Sequence, residues 1–307
     1  MTEHSPTLTA RPLPAVAPGL ADHRLGVALV FGSALVWSFG GTIARYLGAD
    51  DSWAVVFWRS LWAAAFLLAF MGLRDGPRGT VALFRNMGAP GLAVALCFAT
   101  ASTAFIVALA HTTVANILLM QAGVPLIAAL IGWTVFREPV LPATWLAIAA
   151  VIAGVAVMVS DSLGGQVSPV GDALALLIAV AFATATVITR RYSEVRMTPA
   201  CCTGTLISVA VAAVLAGSLS VTAPDMGLLF TFGALNLGFG MALFVTGARL
   251  LPSSIAALIG TAEPVMGPVW VWLVHGETPS ARTIVGGAIV LAALFAHLGW
   301  QIRLSRR

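Results

Sequence analysis

The chain has 307 residues, of which 59% are apolar and only 9% are charged. A soluble domain of this length needs a charged surface that such a composition does not supply, so the surface must face lipid. The formal charge of +4 comes from arginines scattered through loops, not from a continuous basic face, which excludes a nucleic-acid-binding stripe.

Residues 1–22 carry Pro6, Pro12, Pro14 and Pro18 with few large apolar side chains. They are expected to form a disordered cytoplasmic tail. The apolar stretch that follows is too long for a signal peptide. Ten apolar segments come next, each close to the roughly 20 residues that cross a bilayer as a helix. The first half offers Leu25–Tyr46, Trp53–Leu73, Gly91–Ala110, Thr113–Phe136 and Ala143–Ser160. The second offers Ala173–Thr189, Ala200–Leu219, Met226–Ala248, Ser253–Val274 and Thr283–Ile302. The links between them are mostly short and carry Pro, Gly, Asp or Ser, as helix ends do.

The two halves repeat. A shift of 139 residues lays Ala115–Pro139 on Ser254–Thr278, placing Pro125 on Pro264 and Glu138 on Glu277. A shift of 145 lays Gly26–Arg45 on Gly171–Arg190. Five spans per copy, an odd number, insert the second copy upside down. The expected fold is an all-α integral membrane protein with ten transmembrane helices in two inverted five-helix repeats, residues 23–161 and 168–302, ending in a basic cytoplasmic segment, 303–307. Two inverted halves about one central site suit alternating access.

Orientation follows from the arginines. With the N-terminus inside, 13 of the 16 basic residues fall on the cytoplasmic side, among them Arg74, Arg78, Arg85, Arg190, Arg191 and Arg196. Arg45 and Arg282 fall outside, with Asp50, Asp51, Asp161 and Asp225, and Arg59 lies within a span. This bias puts both termini in the cytoplasm.

The doubled "apolar helix, Pro, then Glu thirteen positions on" pattern, the Glu263–Pro264 pair and the two five-helix halves resemble the EamA family of the drug/metabolite transporter superfamily. The resemblance spans about residues 23–302. It implies a ten-helix carrier of the bacterial inner membrane with a central cavity formed mainly by spans 1, 3, 4, 6, 8 and 9. Its members move small organic molecules, often exporting amino acids or related metabolites. With Tyr limited to Tyr46 and Tyr192, an aromatic cage would have to use Trp and Phe.

Glu263 is the one acid deep in a span, about 15 Å along the axis from the inner end of its helix. A charge at that depth must be paired, hydrated or protonated. It fits either a ligand for a substrate amine or a proton carrier, or else a structural carboxylate bonded to a neighbouring helix. Arg59 is the one basic residue well inside a span. It is a candidate charge partner for Glu263 or a clamp for a substrate carboxylate. The plainer role is bonding carbonyls of adjacent helices, and the cavity that the resemblance implies is not lined mainly by its span.

Thr113, Asn116 and Met120 share one face of the fourth span, with Gln121 on its shoulder. Asn236 stands between Gly233 and Gly240 at helical spacing, and Thr100 and Thr103 make the third span locally polar. Each alone is best read as an interhelical hydrogen bond; as a set, in converging spans, they outline a cavity. Trp37 sits mid-span, unlike the interfacial Trp53, Trp133 and Trp300, and fits either core packing or substrate contact. The candidate binding set is therefore Trp37, Thr103, Asn116, Gln121, Asn236 and Glu263. Glu138 and Glu277 sit just past opposite ends of the core. A solvated acid is the plain reading there; pairing with Arg137 or Arg282, or a latch, is the alternative.

Cys97, Cys201 and Cys202 lie in apolar spans and are expected as small buried hydrophobes. No metal-ligand spacing and no phosphate-cradling motif occurs, so neither a cofactor nor direct ATP use is expected. The expected partners are the bilayer, a small-molecule substrate and, for coupling, protons. An uptake carrier of the same fold is the alternative. A membrane-embedded enzyme would need several clustered acids, histidines or metal ligands. A non-transporting partner would need long loops or a soluble domain.

Overall fold

A computed structural model describes residues 20–49, 51–137, 140–163, 168–192, 194–251 and 253–305. Residues 1–19 of the expected tail and Glu138 lie outside the described residues. Helix α1 begins at Leu20, inside the segment expected as tail, and α14 runs to Ser305, into the expected basic terminus.

The described chain is all helical. In the first half lie α1 (Leu20–Ser38), α2 (Gly40–Tyr46), α3 (Ser52–Asn86), α4 (Gly88–Ala108), α5 (Val114–Gln121), α6 (Val124–Phe136) and α7 (Pro142–Leu163). In the second lie α8 (Pro169–Arg191), α9 (Thr198–Leu215), α10 (Ala223–Phe230), a π-helical stretch (Thr231–Phe239), α11 (Gly240–Gly247), α12 (Ser253–Gly260), α13 (Ala262–His275) and α14 (Ala281–Ser305).

Eight of the ten expected segments are long and apolar enough to cross a membrane, and the pair α5–α6, bent by 45°, makes a ninth. The ninth expected segment, Ser253–Val274, is divided at Thr261 into α12 and α13. Large apolar side chains such as Leu146, Ile152, Val214 and Leu273 are exposed, as lipid-facing residues of a multi-pass protein should be.

The two broken segments are interrupted for the same reason. Pro125 has no N–H to give the carbonyl of Gln121, and Pro264 has none for that of Gly260. Helix α5 ends at Gln121 and α12 at Gly260, residues related by the same shift of 139 that relates the prolines. Broken helices with freed carbonyls are tolerated at membrane depth only against protein or a water-filled cavity.

Helix α3 runs well past the expected Leu73. It kinks at Gly76, whose φ of +71° suits glycine alone, and continues to Asn86. Asp75 at this kink accepts two hydrogen bonds from Arg196, at 2.8 and 3.2 Å, tying α3 to the start of α9. Both Cys201 and Cys202 are buried free thiols, as expected. Small residues set the close contacts elsewhere. Gly233 lies on the backbone carbonyl of Arg59, so the π-helical stretch packs tightly on α3.

Candidate functional site

A central cavity of about 280 Å³ lies among these elements. Spans 1, 3, 4, 6, 8 and 9, expected to form it, all contribute, through Trp37, Ser102, Gln121, Phe182, Asn236 and Glu263. The second span contributes as well, through Arg59. The walls are otherwise largely aromatic and aliphatic: Phe98, Phe105, Phe232, Leu118, Leu237 and Met241. That mixture of apolar wall and few polar groups is the usual make-up of a small-molecule pocket.

Both helix breaks open onto it. Gln121, Val124 and Pro125 line it at the α5–α6 break, and Gly260, Thr261, Glu263 and Pro264 at the α12–α13 break. A side chain added at Gly260 would meet nothing within 4 Å. Glu263 stands half-buried in the first turn of α13, where the positive end of the helix dipole favours a carboxylate. It makes no ion pair among the described residues.

Arg59 is 6% exposed. Its Nη1 donates to the Ser102 hydroxyl at 2.9 Å and, at 3.5 Å, to the Ser102 carbonyl. Its guanidinium lies 4.4 Å from the ring centre of Phe232 and 5.8 Å from that of Phe105. It lines the same cavity as Glu263 without bonding to it, so the candidate pair is not formed among the described residues.

The remaining candidates divide. Asn236 sits in the π-helical stretch, an insertion that often marks a functional position, and donates to the carbonyl of Val36 while facing the cavity. Trp37 lines the cavity beneath Gly240, with its ring centre 5.6 Å from that of Phe244. Gln121 lines it at the α5 terminus. Thr103 instead donates to Ser208 on α9 at 3.1 Å and is not among the lining residues. Asn116 is 3% exposed and turned away, its amide nitrogen bonded to Asp172 and Thr112 in a separate polar pocket. Facing inward on a helical wheel was not enough. A bundle helix has several buried faces, and only one of them borders the cavity.

The largest departure concerns Glu277. It is not a solvated acid, nor does it pair with Arg137 or Arg282. Its Oε2 accepts from Arg45 Nε at 2.8 Å and its Oε1 from the Val114 backbone N–H at 2.7 Å. Arg45 also donates to the carbonyls of Leu109 and Thr112. Nearby, Trp270 donates to the Ser38 hydroxyl at 3.0 Å, and the Tyr46 and His275 rings meet edge to face. At this end α13 packs on α1, α2 and α5. At the opposite end α6 packs on α7 and α8 and α12 packs on α1 and α14, and among the described residues no comparable contact joins α6 to α12.

Sequence reasoning also missed Ser102 as the anchor of Arg59, and the Phe98, Phe105, Phe182 and Phe232 wall. Helix α4 has little apolar-to-polar asymmetry around its axis, so periodicity does not single out the face that meets the cavity.

A model of the EamA-like transporter family matches residues 24–160 and, a second time, residues 169–298. No curated protein matches the chain. A crystal structure of a protein 18% identical to this chain has the same fold, with a TM-score of 0.64 over 91% of this chain and 98% of that chain. Two family matches covering most of the sequence, laid on an all-helical membrane fold, make this chain a member of the EamA-like transporter family, whose members are transporters.

Proposed function

We propose that this protein is a secondary carrier that moves small polar or amphipathic metabolites, amino acids or related compounds, through the central cavity by alternating access. The observation that carries the reading is the cavity at two helix breaks related by the internal repeat, with Glu263 unpaired beside one of them. Discontinuous helices at mid-membrane are how many secondary carriers build a substrate site. The uneven packing supports it further: Arg45 and Glu277 join the helices at one end, and among the described residues α6 and α12 pack less closely on each other at the other end than α5 and α13 do at the first. Ten spans and cytoplasmic termini belong to this reading on the strength of the arginine asymmetry, and a bacterial inner membrane by family analogy. Outward movement belongs to it by family analogy.

Glu263 is the residue proposed to bind and release a proton as the halves rock. Glu263→Gln keeps the shape and removes ionisation. The probes for transport are those that stabilise the purified protein in a thermal-shift screen of amino acids, nucleosides and vitamins. In proteoliposomes the variant should lose transport driven by a pH gradient and still exchange substrate across the bilayer. Unchanged gradient-driven transport would eliminate the proton role. Reporter fusions after Asp161 and at the C-terminus should report opposite sides of the membrane. Finding them on one side would sink the five-plus-five arrangement.

A further inference from the structure

Residues that line the central cavity carry hydrogen-bond donors that the protein does not satisfy. Arg59 Nε and the amide nitrogen of Gln121 are each buried without a partner, and both residues line the cavity; Trp37 Nε1 also lacks a partner but is pressed against Gly240. Indole and guanidinium nitrogens can only donate, and a guanidinium does not give up its charge in a protein. Arg59 is therefore a standing cation. The groups around it are neutral: one serine and two aromatic rings. Ring faces offset part of the cost of taking a guanidinium out of water, but they supply no counter-charge. A site with surplus donors and an uncompensated cation is incomplete until an anionic acceptor enters.

We propose that Arg59 is the subsite for a substrate carboxylate, and that the substrates are amphipathic organic acids whose apolar bodies rest on Phe98, Phe182, Leu237 and Met241. This rests on the cavity being the transport site. Ser102 fixes Nη1 of the guanidinium, and Nε is left without a partner in the protein. Gln121, whose amide nitrogen likewise lacks a partner, lines the same chamber. Glu263, unpaired in that chamber, is placed to accept from an amine where the acid carries one.

The test uses the full-length protein in lipid nanodiscs and matched probes that differ only in their charged ends. One set is phenylalanine, 3-phenylpropionate and phenethylamine; the other is leucine, 4-methylpentanoate and 3-methylbutylamine. Binding is read by thermal shift and calorimetry. Within at least one set, the carboxylate-bearing members should bind about 30-fold or more tighter than the amine-only member. Arg59→Lys keeps the charge and removes the planar fork. It should weaken the acids at least about 10-fold while leaving the amine unmoved. If Arg59→Lys does not fold, Ser102→Ala should narrow the same acid-to-amine ratio. Amine binding equal to acid binding, no acid binding in either set, or a ratio unmoved by the variants would overturn the proposal. Acid binding without flux in proteoliposomes would keep this subsite and refute the carrier reading. Flux of the amines alone would do the reverse.

Discussion

Arg45 and Glu277 lie 232 residues apart in sequence and meet at 2.8 Å. Their side chains are 28% and 18% exposed, and the carboxylate also holds the N–H of Val114, the first residue of α5. One pair thus ties the ends of α2 and α13 to the loop between α4 and α5. Breaking a partly buried charged hydrogen bond costs about 1–3 kcal/mol. Glu277→Gln should lower unfolding stability by that amount. A double-mutant cycle with Arg45→Gln should return a coupling energy above about 0.5 kcal/mol. Additive effects would mean the pair does not hold that end shut.

Glycines separate tight packing from open cavity. A Cβ at Gly233 would run into the Arg59 backbone carbonyl, and one at Gly240 into the Trp37 indole; one at Gly260 would meet nothing within 4 Å. Overpacking costs about 1–3 kcal/mol. Gly233→Ala should therefore lower the midpoint of thermal unfolding in detergent, and Gly260→Ala should leave it close to wild type. Equal shifts would contradict the placement of the cavity.

Asp51 caps α3. Its carboxylate accepts the N–H of Trp53 at 2.8 Å and that of Gly217 at 2.9 Å. The Trp53 bond is the larger cause holding its pKa below the usual carboxylate value. A depressed pKa stabilises the fold above the unfolded value, about pH 4, and that contribution is lost as pH falls through the folded value. Asp51→Asn should therefore cost stability at neutral pH, up to about 1 kcal/mol as for other helix caps. It should also flatten the loss of stability below about pH 4. A parallel decline of both proteins with pH would contradict this.

Much of the fold was legible because lipid imposes simple rules. Long apolar segments separated by Pro and Gly are spanning helices, and the EamA resemblance drawn from Pro125, Pro264 and the paired glutamates agrees with the family match. The helix breaks were half legible. Pro264 signalled a freed carbonyl, but the division at Thr261 and the 45° bend after Gln121 depend on what the neighbouring helices leave empty. The cavity lining was legible at Trp37, Gln121, Asn236 and Glu263, because a large or polar side chain in mid-span needs a reason. It was not legible at Thr103 and Asn116, whose hydrogen bonds to Ser208 and Asp172 cross to other helices. Arg45 and Glu277 were both read as groups at water, since no local pattern brings residues so far apart together.

The central claim is that substrate crosses through the cavity at the α12–α13 break. The most direct measurement places a single cysteine at Gly260, where a side chain has room, after replacing Cys97, Cys201 and Cys202. Proteoliposomes carrying Gly260→Cys would be assayed for exchange of a stabilising substrate before and after a charged thiosulfonate reagent. Modification should block exchange, and saturating substrate should slow the modification. Full modification with exchange intact, or modification indifferent to substrate, would contradict the account.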